Sequence, residues 1–142
     1  MSASLAVLFS NYQLYTHQLI QLRWQAKSLS PWDWAPKLAE FAREAEQEKD
    51  ILLDIMLAQG QLPPASKSAQ QRLANIPDLQ GVKKTLPKIL ARVRQNSQLI
   101  LSQIEQWAKE QPKEKRWSKL KLALQKRLAD LESAPQAQEL SA

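Results

Sequence analysis

The sequence contains no cysteine, so disulfides, thiolate metal sites, cysteine nucleophiles and thiol redox chemistry are all excluded. Its two glycines, Gly60 and Gly81, stand far apart, which excludes a phosphate-cradling loop built from closely spaced glycines. A single histidine, His17, excludes a histidine-clustered metal site within one chain. Without carboxylates beside it, His17 reads as a surface or interface side chain. No apolar run approaches the ~20 residues that a membrane span needs, and the opening segment lacks the basic flank and cleavage site of a signal peptide. The expected location is the cytoplasm, with no membrane partner.

The 142 residues that remain after these exclusions suit one domain. A domain of that size buries roughly two-thirds of its unfolded surface, so an ordinary apolar core can hold it. Charge is concentrated. Residues 1–82 hold 7 Lys and Arg against 8 Asp and Glu, residues 83–127 hold 13 against 3, and the remainder holds none against 3. A segment that basic attracts polyanions, nucleic acid first among them, unless it is simply the solvated face of a helix.

Apolar periodicity is helical almost throughout. Leu5, Leu8, Tyr12, Tyr15, Leu19, Leu22 and Ala26 recur at steps of three and four and mark the buried stripe of a long first helix. Ser30-Pro31-Trp32-Asp33 reads as the start of a second, with serine as cap and proline in the first turn. Gly60 and Pro63-Pro64 end it. A short helix is expected around Ser66 to Ala74, with Gln80-Gly81 closing the connection. A third long helix runs from about Thr85, with Ile89, Val93, Ile100, Ile104 and Trp107 buried. A fourth carries Trp117, Leu120, Leu124, Leu128 and Leu131 at core spacing. No segment alternates with period two, so the expected fold is all-α: a four-helix bundle over 1–132 with a short helix in the long second-to-third connection, followed by a flexible polar tail over 133–142.

The second helix is apolar nearly all round from Asp50 to Leu57, interrupted only by Asp50 and Asp54, and Leu122 sits on a face shared with Lys115, Lys119 and Lys126. Apolar faces of that width call for cover, which points to an oligomer.

Three segments carry a resemblance: Leu22-Arg23-Trp24-Gln25-Ala26-Lys27, then Pro31-Trp32-Asp33-Trp34, then the run from Asp50 to Pro64. Together they resemble the ferritin-like family of DNA-protection-during-starvation (Dps) proteins, without a gap from about Tyr12 to Pro64 and more weakly through Gln95-Asn96 and the last two helices. The resemblance implies a ferritin-like bundle and a hollow, dodecameric homo-oligomeric shell acting in stress response. It also implies iron oxidised at sites shared by two subunits, iron storage and detoxification inside, and DNA protection outside. The family's carboxylate pair falls on Asp50 and Asp54. Its first histidine falls on Arg23, and the two remaining ligand positions fall on Ala35 and Ala39. An arginine cannot lose its proton to bind a metal, so the implied ferroxidase activity is expected to be reduced or lost, with iron reaching at most the residual pair Asp50 and Asp54.

Glu46, Asp50 and Asp54 form a column of like charges that costs about 0.2–0.5 kcal/mol per pair on an isolated helix. The first reading of that face is a plain solvent stripe of Arg43, Gln47, Asp50 and Asp54; the other is that Arg23 of a twofold-related subunit takes the place of the iron and pairs with Asp50 or Asp54. At the positions where the family packs large side chains between subunits stand Trp24, Trp32 and Trp34, with Leu53 and Leu57 as further interface candidates. Lys109, Lys113, Lys115, Arg116, Lys119 and Lys121 crowd the last turn and form the candidate polyanion site. DNA binding would have to use this folded surface, because neither end of the chain is rich in lysine. Two functions follow: a Dps-like shell protein with a degenerate iron site, or a basic helical module that binds nucleic acid or an acidic partner without forming a cage.

Overall fold

The computed structural model describes residues 4–64, 66–77, 79 and 85–133. It contains five helices: α1 (Leu5–Ala26), α2 (Trp34–Ala58), α3 (Lys67–Leu73), α4 (Leu86–Glu110) and α5 (Arg116–Glu132). No strand occurs among the described residues. The tail beyond Ser133 and the Gln80-Gly81 closure, both expected from the sequence, lie outside them.

Helix α1 starts at Ser4, whose Oγ accepts the Val7 N–H at 3.3 Å, and every member of its expected stripe is buried. Helix α2 starts later than Ser30. The Ser30 carbonyl accepts the Ala35 N–H at 3.0 Å, closing a turn wider than an α-helical one, so the regular ladder begins only at Trp34. Ser30 still caps it, because its Oγ accepts the Trp34 N–H at 3.1 Å. At the far end Gly60 takes φ 73°, and two bonds close the helix, Gly60 N–H to Leu57 O at 3.0 Å and Gln61 N–H to Met56 O at 2.9 Å. This is the paired closure that a left-handed glycine permits.

The apolar girth of α2 is covered mostly from within. Leu52, Ile55 and Met56 are buried in the chain's own core, and Ile51 and Leu53 pack against it. Leu57, 49% exposed, is what remains outside. The need for an outside partner is therefore narrower than the sequence pattern suggests.

After α2 the chain crosses the length of the bundle. Ser66 caps α3 by accepting the Ala69 N–H at 3.1 Å. Polar side chains then fasten the following segment to α1 and, through Arg92 Nη1 donating to the Pro77 carbonyl at 3.2 Å, to α4. Asn11 Oδ1 accepts the Asn75 N–H at 2.6 Å, Asn11 Nδ2 donates to Gln103 Oε1 at 2.9 Å, and Gln18 Nε2 donates to the Pro77 carbonyl at 2.8 Å. Ile76 is buried between these anchors in sequence.

Pro87 lies in the first turn of α4, where its missing N–H costs nothing. Ile89, Val93, Ile100 and Ile104 are buried, whereas Trp107 is half-buried and stacks on Trp117 with ring centres 6.1 Å apart. On α5 the buried stripe is Trp117, Leu120, Leu124, Arg127 and Leu131. Leu128, expected in the core, is only half-buried because it falls about 100° further round the helix than Arg127. The four long helices form a square in which α1 touches α2 and α4, and α5 touches the same two. Neighbours are antiparallel: Lys37 meets Asp130 and Glu48 meets Arg127 across α2 and α5, while Asn11 meets Gln103 and Gln18 meets Asn96 across α1 and α4.

Candidate functional site

All four long helices contribute to a buried polar cluster. The Arg127 guanidinium, 1% exposed, forks onto the Glu48 carboxylate, with Nη1 donating to Oε1 at 3.1 Å and Nη2 donating to Oε2. Glu44, one turn earlier on α2, approaches the same Nη2 at 3.5 Å. From α1, Tyr12 donates its hydroxyl proton to Glu48 Oε1 at 3.0 Å, and the Tyr15 hydroxyl accepts from Arg127 Nη1 at 3.2 Å. The Tyr15 hydroxyl also meets Ser97 Oγ of α4 at 2.7 Å, and Ser97 in turn donates to the Val93 carbonyl at 2.7 Å. Arg127 further lies over the Tyr15 and Phe41 rings, at 5.8 and 5.5 Å.

Burial and the Glu48 charge push the Tyr12 phenol well above its ordinary pKa. Burial also raises Tyr15, with Arg127 partly opposing the shift. Burial opposes the charge of Arg127, but Tyr15 and Glu48 outweigh it and hold the guanidinium protonated more firmly than usual. The cluster was not anticipated from the sequence. The signal was there: Glu48 continues the stripe Leu38, Phe41, Ala45, Leu52 and Ile55, Arg127 continues the stripe of α5, and the two have opposite signs.

Bundle cores are where helical carboxylate proteins hold metals, through acids and histidines projecting inward. Here the inward acid is neutralised by an arginine, which is not a ligand. Among the described residues no three of His, Cys, Asp or Glu converge as a metal-binding group. His17 is exposed, beside Gln13, Lys67 and Gln70.

Asp50 and Asp54 are exposed on α2. Glu46, the third member of that column, pairs with Lys49 at 2.9 Å. Arg23 is half-buried near the C-terminal end of α1. Because α1 and α2 are antiparallel and Tyr12 lies level with Glu48, Arg23 lies level with about residue 37. That leaves roughly 20 Å of helix between it and Asp50 of the same chain. Any pairing of Arg23 with these carboxylates needs a second copy. Ala35 is buried and Ala39 half-buried.

The aromatic candidates separate. Trp24 is 60% and Trp32 88% exposed at the α1–α2 end, whereas Trp34 packs partly against the core. The six basic candidates separate too. Lys115, at the N-cap of α5, shares an exposed row with Lys119, Leu122 and Lys126, while Lys109 and Lys121 line a different groove with Glu105. Lys121 comes within 4.0 Å of Glu105. Arg116 is clasped by Glu114 through two bonds of 2.8 Å, and its backbone N–H reaches the same carboxylate. These bonds hold the Glu114 carboxyl down at about 2. Lys109, Lys113, Lys115 and Lys119 are exposed and make no ion pair among the described residues. No described helix is long and apolar enough to cross a membrane.

The bundle with a short helix in its crossover is a Dps/ferritin-like helical fold. Among solved structures it is similar to the crystal structure of a Dps mutant from Listeria innocua, with a TM-score of 0.72 over 89% of this chain and 82% of that one. Identity is 16%, so the likeness is one of fold. No family model matches the chain, and no curated protein matches its sequence.

Proposed function

We propose that this chain is the subunit of a Dps-like homo-oligomeric shell that has given up iron oxidation. The observation that carries the reading is the fold match over 89% of the chain. The donor chemistry supports the loss. Arg23, Ala35 and Ala39 offer a guanidinium and two methyl groups where the resemblance asks for two imidazoles and an acid, and Glu48 is taken by Arg127. The pair Asp50 and Asp54 then takes a cation from a neighbouring copy in place of iron, and Arg23 is the one that its aligned position offers. Protective contact with nucleic acid falls to exposed lysines that the assembly leaves open, gripping phosphates without reading sequence. Iron(II) added to the purified protein is expected to oxidise no faster than in buffer, and a stoichiometric fast phase would overturn the loss.

A second reading is favoured by the cover that α2 finds within its own chain: a basic bundle that stays monomeric and binds nucleic acid through Lys109, Lys113, Lys115 and Lys119. In that case duplex affinity falls steeply with salt, because each neutralised phosphate releases counterions. The mass in solution separates the two readings.

A further inference from the structure

We propose that the groove between α2 and α5 of one chain, beside the buried Glu48–Arg127 pair, binds a small organic acid: a carboxylate carried on an apolar body. The inference goes beyond the shell reading and does not draw on it, because the groove needs only one chain. Its α2 wall carries Glu44, Gln47 and Ile51, and its α5 wall carries Lys119, Ala123 and Lys126. The volume is about 390 Å³. Small-ligand clefts run from about 300 to 1,000 Å³, so the occupant is a compact one. Asp50, Asp54 and Arg23 do not line the groove and are left to the contact between copies that the shell reading gives them.

The groove exists because of one small side chain. Lys119, Ala123 and Lys126 follow one another at steps of four and three, so they share a face of α5 that spans ~10.5 Å along the axis. Between two long side chains Ala123 contributes only a methyl group, and the half-buried Ile51 stands across from it on α2. These two apolar residues form a floor that no other side chain of the chain fills.

The charges around the floor do not balance. Glu48 is forked by Arg127, and Glu44 stands 3.5 Å from the same guanidinium, so both acids are already engaged. Lys119 and Lys126 are exposed and make no ion pair among the described residues. Each ammonium rides on a flexible four-carbon stem, so the two can converge from either side on a single anion over Ala123. A bare phosphate would satisfy the lysines and leave Ile51 and Ala123 uncovered. A polynucleotide strand would set charged groups against that apolar floor. An acid with an apolar body answers both parts of the lining, and the Gln47 amide at the same wall offers a further hydrogen-bond donor to its carboxylate.

The test is calorimetric titration of the full chain with naphthoate, with inorganic phosphate as a control for charge alone and naphthylmethylammonium as a control for the apolar body alone. Naphthoate is expected to bind saturably, one per chain, and both controls far more weakly. Lys119→Ala and Lys126→Ala are each expected to weaken naphthoate about tenfold, the worth of one charge-assisted hydrogen bond. Ala123→Leu, which fills the floor, is expected to abolish binding. Circular dichroism checks that each variant keeps its helix content, and the exposed positions of the two lysines keep the test open even if the third variant unfolds. The inference is overturned if naphthoate does not bind, or if phosphate binds as tightly, which would make the lysines plain phosphate grips. It is also overturned if any of the three variants, while folded, keeps the wild-type affinity.

Discussion

At the residue scale the molecule turns on one buried ion pair. Removing Arg127 leaves Glu48 charged and nearly dry in the core, so Arg127→Met is expected to cost about 3–5 kcal/mol in urea unfolding. Adding Glu48→Leu removes the orphaned charge and should restore most of that loss; a double variant no more stable than the single would show that Glu48 is not what the loss comes from. The two tyrosines of the chain report on the same place. Both folded phenols have raised pKa values, so they keep their protons at pH values where the unfolded tyrosines lose theirs. Their contribution to stability is present below about pH 10 and declines as pH rises beyond it. Titrated by absorbance, phenolate should appear late and abruptly, together with unfolding; smooth ionisation near pH 10 in the folded protein would contradict their burial. Neither residue of the ion pair is conspicuous in the sequence alone. A charge on an apolar stripe reads as a flaw in the pattern until its opposite, 79 positions away, is seen on a stripe of its own.

At the element scale most of the fold was legible. Helix ends are set by local chemistry that a short window contains: Ser66 at the start of α3, Pro87 in the first turn of α4 and Gly60 after α2. What escaped depends on geometry that the window lacks. The wide turn after Ser30 delays α2, and the one-position difference between Arg127 and Leu128 decides which of them enters the core. Gly60→Ala meets open space but must hold φ 73°, so it is expected to cost about 1 kcal/mol, read from the thermal midpoint. Asn11→Ala should strip the anchor from Asn75 and Gln103 and speed amide exchange across 66–77 before the bundle itself opens. Unchanged exchange there would mean that Ile76 and the bonds to the Pro77 carbonyl hold the crossover without Asn11.

At the scale of the whole molecule, the candidate site was legible only as a set of exposed residues. Asp50, Asp54 and Leu57 are where their periodicity puts them, but a chain's own contacts cannot say what a second copy brings to them. The lysines read as one cluster in sequence became two once α5 was seen as a rod with opposite sides. The central claim is that this bundle works as an assembly, and the mass of the purified chain in dilute solution at moderate salt tests it most directly. The account predicts a particle near twelve times 16.2 kDa. A monodisperse single chain at every concentration would contradict it.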